Sequence, residues 1–149
     1  MKESGTSRRK FLKTTAKAGA VLAFPTIIPA HVLGRNGAVP PSETIQLGAI
    51  GIRGRGMQDL RAIMSEKDVR MLAICDLQKV QRETVKKYVD EQYGNTDCAK
   101  FPEIREFLAT RTDLDAVLIA TGDRWHALAS ILSMRAGLDV YTEKPSSMT

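Results

Sequence analysis

From residue 45 onward the chain switches repeatedly between short apolar runs and stretches of helical periodicity. That alternation narrows the available folds more than any other feature. Ile45 to Ile50 is a short apolar strand ending at Gly51, and Gly54 to Ser65 spaces Met57, Leu60, Ile63 and Met64 for one helix face. Val69 to Cys75 is a second strand stopped by Asp76. Gln78 to Tyr93 predicts a long polar helix with Val80, Val85, Tyr88 and Val89 available for packing, ended by Gly94-Asn95. A weak strand over Cys98 to Phe101 follows, and Pro102 is read as opening a short helix that buries Ile104, Phe107 and Leu108. Leu114 to Ala120 is the strongest strand. Arg124 to Ala136 predicts a helix with Leu128, Ile131 and Leu132 inward and Gly137 as its C-terminal cap, before a last strand at Leu138 to Thr142. Strands this apolar, joined by helices, imply a parallel sheet covered on both faces.

A chain of 149 residues suffices for one such domain and falls short of a nucleotide domain plus a full second domain. With 43% hydrophobic and 26% charged residues, its composition is that of a globular protein. The formal charge of +5 is local. Seven of the 22 basic residues and one of the 17 acidic ones lie in residues 1–35, which leaves 15 basic against 16 acidic in the remainder. A near-neutral body has no electrostatic footprint for a polyanion, so no nucleic-acid partner is expected. Cys75 and Cys98 form no Cys-x-x-Cys or Cys/His cluster, so no metal site is indicated and two free thiols are expected.

The excess positive charge belongs to an address. Ser7-Arg8-Arg9-Lys10-Phe11-Leu12-Lys13, followed by a small and apolar run from Thr14 to Ile28, resembles a bacterial twin-arginine signal. Gly19 and Pro25 interrupt the run, which is too short for a stable membrane span. Residues 1–35 are therefore read as a signal peptide and residues 36–44, with Pro40-Pro41, as a linker. The resemblance implies the twin-arginine export machinery as a partner and a periplasmic or otherwise exported location. No clean Ala-x-Ala site stands near Ala30, so the cleavage point and an uncleaved, membrane-tethered form both stay open.

Gly51-Ile52-Arg53-Gly54-Arg55-Gly56 lies between the first strand and the first helix. There a chain without side chains can turn tightly and approach a pyrophosphate, and the helix start offers free N–H groups and a partial positive charge. The usual Gly-x-Gly-x-x-Gly spacing places glycine where this chain has Arg53; Gly51 and Gly56 keep their places, and Gly54 is extra. Either Gly54 lets the backbone adapt while Arg53 turns outward, or Arg53 and Arg55 reach the phosphates directly as guanidinium forks. Asp76 ends the second strand, where an acid hydrogen-bonds the adenine-ribose hydroxyls of a dinucleotide and repels a 2′-phosphate. Leu77 brings no basic group to cancel that repulsion, so NAD is expected before NADP. The alternative for Asp76 is a helix N-cap.

Thr121-Gly122-Asp123-Arg124-Trp125-His126 follows the fourth strand and Thr142-Glu143-Lys144-Pro145 the fifth. With the glycine turn and Asp76 in register, residues 45–149 resemble the Gfo/Idh/MocA family of glucose–fructose oxidoreductase and inositol dehydrogenase. Its hallmarks are a Thr-Pro-x-x-x-His turn and a Glu-Lys-Pro; Gly122 stands here for that proline. The resemblance implies an NAD-binding Rossmann-like domain. Thr121 and His126 would lie near the nicotinamide and its ribose, with Glu143 and Lys144 facing the same crevice. Lys144 would stand beside substrate and assist proton transfer, and Pro145 would fix the backbone beside it through a cis bond.

The resemblance further implies that the domain is C-terminally incomplete, that a substrate domain follows in a longer protein, and that this stretch alone is inactive. A homo-oligomer of the longer form stays open. Three functions compete: an NAD-dependent oxidoreductase of sugars or polyols, an NAD-using glycosidase of the same family, and a non-catalytic exported nucleotide-binding module.

Overall fold

The computed structural model describes residues 39–146. The expected signal, 1–35, and the start of the linker lie outside the described residues. The second half of the linker is a short 3-10 turn, Pro41–Glu43, in which the Glu43 N–H donates to the Pro40 carbonyl at 2.9 Å. The prolines that suggested an open linker fix φ near the value such a turn needs.

The domain then alternates as the hydrophobic pattern requires. Strand β1 is Ile45–Ile50, helix α1 Gly54–Met64, β2 Val69–Cys75, α2 Lys79–Tyr93, β3 Ala99–Phe101, α3 Ile104–Thr110, β4 Ala116–Ile119, α4 Asp123–Arg135 and β5 Asp139–Thr142. All pairings are parallel, in the order β3-β2-β1-β4-β5. The chain steps outward from β1 to β3, then crosses back to place β4 on the other side of β1. Between the carboxyl ends of β1 and β4 lies the point where a doubly wound sheet opens a crevice.

Two cores flank the sheet. On one face Leu60 of α1 and Val85 and Val89 of α2 pack on Leu47, Ala49, Met71, Ile74 and Leu118. On the other, Phe107 of α3 and Ala129 of α4 pack on Ile50, Ala73, Val117 and Ile119. The fold is thus an α/β parallel sheet of Rossmann type with helices on both faces, as the strand pattern predicts.

Three helix details differ from the sequence reading. Val80 is exposed, because the face of α2 defined by Val85 and Val89 leaves it on the solvent side. Pro102 precedes the helix instead of opening it. Glu103 is the N-cap, its Oε2 accepting from the N–H groups of Arg105 at 2.8 Å and Glu106 at 3.0 Å, which satisfies amides that proline cannot. On α4, Leu128 and Ile131 are exposed and Leu132 is half-buried, while His126, Ala129 and Ser133 face the sheet. Both sets fit helical spacing; small residues on the inner face let α4 lie close to the strands, and the bulky ones fall outside. Gly137 ends the helix with φ +86.

The thiols sit one in each core, both free, Cys75 at 3% and Cys98 at 4% exposure. Burial, reinforced by the Asp76 charge, pushes Cys75 up to about 12, and burial pushes Cys98 up to about 11. Labelling with a thiol reagent at about pH 8 should run about a thousandfold slower at Cys75 and about a hundredfold slower at Cys98 in the folded chain than in urea, because the thiolate is the reacting species. Equal rates in the two states would contradict this packing.

Candidate functional site

The crevice at the carboxyl ends of β1, β2 and β4 is an open cleft of about 1370 Å³. Gly51 leaves β1 with φ +70, and an added Cβ there would stand 2.8 Å from the Thr121 Cα and collide with the Thr121 side chain. Gly56, in the first turn of α1, has its Cα directly against the Ala120 Cβ, so a side chain there would drive helix and strand apart. These contacts press the first turn of α1 onto the end of β4. Gly51, Arg53, Gly54, Arg55 and Gly56 all line the cleft, whereas Ile52 departs from the expectation. Its side chain is fully buried in the core, and its carbonyl accepts from Gln81 Nε2 at 3.1 Å.

Arg53 is exposed in extended backbone just ahead of α1, with no salt-bridge partner among the described residues. Arg55 is drawn aside: its Nε lies 3.0 Å from Asp59 Oδ1 and 3.5 Å from Glu143 Oε1. The leading N–H groups of α1 are thus left facing the cleft, where an anion would satisfy them. Asp76 lines the same cleft. Its Oδ1 accepts from the Gln78 N–H at 2.7 Å in a turn just ahead of α2, whose N-cap is Gln78 and not Asp76, so the capping alternative is not realised, and the carboxylate keeps its second oxygen for another donor.

At the far wall Thr121, His126, Glu143 and Lys144 come together. His126 is buried, at 2% exposure, and its Nδ1 and Nε2 stand 2.7 Å from the Pro145 carbonyl and 2.9 Å from the Thr121 carbonyl. A carbonyl oxygen only accepts, so the ring brackets the two turns, fully so when both nitrogens carry hydrogen. Lys144 is exposed at the cleft edge, its N–H donating to Glu143 Oε2 at 3.3 Å, and the Lys144–Pro145 bond is cis. Glu143 also extends the sheet, donating its N–H to the Ile119 carbonyl at 2.9 Å.

Two residues of the site went unread in the sequence. Asp59 is buried at 7% exposure, one carboxylate oxygen held by Arg55 and the other without a donor. Burial, and the pairing with the Glu143 carboxyl group, raise it above the ordinary carboxylate range, while the same pairing holds Glu143 below it. The i, i+4 spacing from Arg55 was visible; the burial was not. Arg82 donates from Nη1 to the carbonyls of Asp76 at 2.6 Å and Leu77 at 3.0 Å. A guanidinium therefore stands behind the turn that Leu77 seemed to leave without one.

The sequence profile of the Gfo/Idh/MocA group, described as an oxidoreductase family with an NAD-binding Rossmann fold, matches residues 45–149. A glycosyl hydrolase family 109 protein of Saccharopolyspora erythraea is 30% identical over 96% of this chain and 34% of its own length. An alpha-N-acetylgalactosaminidase of Bacteroides fragilis is 30% identical over 80% of this chain and 28% of its own length. Among solved structures, a dehydrogenase from Chromobacterium violaceum superposes with a TM-score of 0.62 at 27% identity, covering 72% of this chain and 30% of that one. The chain spans about a third of the length of the curated relatives it matches.

Replacing His126 by Ala removes the bracket between the two turns. The change should cost about 1–3 kcal/mol, since at least one buried carbonyl loses its donor. Urea denaturation measures the loss. Hydrogen exchange should quicken in the segments around 121 and 145 more than in β1; uniform or absent change would refute the bracket.

Proposed function

This chain belongs to the Gfo/Idh/MocA oxidoreductase family, matched over residues 45–149, and we propose that its cleft binds NAD. On this reading the diphosphate lies on the bare amides of Gly54 to Gly56, with Arg53 as the free cation beside it. The unused oxygen of Asp76 accepts an adenine-ribose hydroxyl and sets NAD ahead of NADP. Thr121, Glu143 and Lys144 line the end where the nicotinamide would lie. The observation that carries the reading is that the glycine turn and Asp76 open onto one cleft large enough for a dinucleotide. His126 supports it from behind, as a bracket beneath the Lys144 turn.

NAD supplies a hydride acceptor when bound. The chain's own contribution is to hold the cofactor and place the Lys144 amine at the cleft edge. We assign Lys144 the proton of the reacting hydroxyl: as the free amine it would receive that proton as the carbinol is oxidised, becoming the ammonium, and return it in the reverse direction. A protein that carries this domain is then an NAD-dependent oxidoreductase of sugars or polyols. It is carried out of the cytoplasm by the twin-arginine machinery on the strength of residues 1–35, and works with its cofactor tightly held.

A second reading, an NAD-using glycosidase, is favoured by relatives named glycosyl hydrolase family 109 protein and alpha-N-acetylgalactosaminidase. It keeps the same cradle and the same lysine and changes only the fate of the oxidised sugar. Release of nitrophenol from p-nitrophenyl α-N-acetylgalactosaminide without net NADH formation would select it. NADH accumulation with a free sugar or polyol would select the oxidoreductase.

Calorimetric titration of the chain should show saturable NAD binding. Asp76→Asn keeps an oxygen for the Gln78 N–H but loses the charge. It should weaken NAD by about tenfold, close to 1.4 kcal/mol, and narrow the preference over NADP. No binding by the folded wild type would overturn the assignment.

A further inference from the structure

Asp59 has no place in the cofactor cradle, yet it is the acid of the site most withdrawn from water, at 7% exposure. It projects from α1 one turn beyond Arg55. Its Oδ1 takes the Arg55 guanidinium at 3.0 Å, and its Oδ2 is buried and finds no donor. The second carboxyl group at this guanidinium is Glu143, whose Oε1 lies 3.5 Å from the same Nε and whose Oε2 accepts the Lys144 N–H at 3.3 Å. Two carboxyl groups and one guanidinium therefore share a corner of the cleft. Arg55 from the same helix and Glu143 from the turn after β5 are the charged groups that bear on Asp59.

Two ionised carboxylates against one cation would leave a buried charge uncompensated and a buried oxygen without a partner, and both conditions are costly. A single proton removes both faults. Placed on Asp59, it turns the orphaned oxygen into a donor, and Glu143 is the acceptor. We propose that Asp59 and Glu143 form an acid–carboxylate pair holding one proton between α1 and the β5 turn, and that this proton keeps the Arg55 corner electrically neutral for the diphosphate of the cofactor.

The proposal rests on the NAD reading for its second half only. With the proton in place, Arg55 and Glu143 cancel. Without it the corner carries one negative charge beside a doubly charged ligand group, and α1 loses its hydrogen bond to the turn that presents Lys144. Asp59 is accordingly a positioning residue: it acts through Glu143 and Arg55, not on the substrate.

The sign of the pH effect follows from where the proton is bound. The folded chain holds it above the ordinary aspartate value of 3.8, whereas the unfolded chain releases it near that value. The pair's stabilisation is full below 3.8 and is lost as pH rises through the folded value. Glu143 acts in the opposite sense, but only below its ordinary value of 4.5, so measurements above 4.5 report Asp59.

The test compares the full chain with Asp59→Asn, whose amide donates to Glu143 at every pH. Melting temperatures are followed from about pH 5 to 9. The wild type should fall relative to the variant by on the order of 5 °C as pH rises. NAD affinity of the wild type should weaken by on the order of tenfold across the same range, while the variant stays flat and binds as the wild type does at acid pH.

Parallel melting profiles with NAD binding intact would overturn the shared proton alone. Loss of NAD binding by both proteins at all pH values would overturn the cofactor reading and the coupling with it, and the melting profiles would still judge the pair. If Asp59→Asn does not fold, Glu143→Gln serves. Without its carboxylate partner only burial still raises Asp59, so the alkaline decline in melting temperature should shrink; an undiminished decline would refute the pair.

Discussion

The site depends on a close approach that only glycine allows. Where β1 runs into α1, the Gly51 backbone lies against Thr121, and Gly56 packs its Cα on the Ala120 Cβ. Both contacts join the first crossover to β4, across the place where the sheet reverses its winding. A methyl group at either point would push α1 outward, and overpacking of this kind costs about 1–3 kcal/mol. The geometric consequence outweighs the energy. Moving α1 by an ångström would redirect its leading amides, the Arg55 side chain and Asp59 together, because all three ride on its first two turns.

From that joint the rest of the site can be followed outward along hydrogen bonds. Glu143 donates its N–H to Ile119, the residue before Ala120, and so extends β5 alongside β4. His126 then ties the Pro145 carbonyl to the Thr121 carbonyl. The turn that bears Lys144 is thus fixed to the same strand end as the glycine turn. A reacting lysine gains little from being near a cofactor unless its backbone is held, since misplacement by about 1 Å is enough to erase most of the benefit of proximity. Here the exposed lysine is free at its tip and anchored at its root.

Much of this was legible in the chain because it is written in periodicity and in residues of special geometry. Short continuous apolar strands, helices of period near four, Gly51 and Gly56 at a strand–helix junction, and Asp76 at the end of β2 each carry a local physical requirement. What escaped depended on which of two compatible faces a helix turns inward. In α4, large residues at 128 and 131 looked like the buried stripe, and the smaller set at 126, 129 and 133 took that place. His126 thereby lines the cleft from a buried position, as a bracket between two turns. Ile52 moved from the turn into the core for a related reason: in a tight loop the backbone faces the cleft and the side chain must go the other way. Asp59 was invisible because its role comes from Glu143, far along the chain; Arg82 reaches carbonyls only six and five residues back, and escaped because a contact to backbone oxygens leaves no mark in the pattern of side chains.

Relatives named for glycoside hydrolysis and a solved structure named a dehydrogenase align with largely the same stretch of this chain. A cradle shared under such different names cannot be what separates the reactions. On the proposed reading, bare amides and the acid at 76 answer only the question of what is held. The outcome would be decided where the held group meets the substrate, and the proposal assigns that edge to Thr121, Glu143 and Lys144, which line the cleft. Of these, Glu143 is the one whose charge the fold has committed elsewhere, to Arg55 and Asp59, so it is poorly placed to act as a second acid or base. On the proposed reading Lys144 is then the proton-transferring group, and a single such group suffices to oxidise a carbinol. Elimination and readdition across a sugar ring need a further acid–base partner, and the second reading must find that partner among groups other than Glu143.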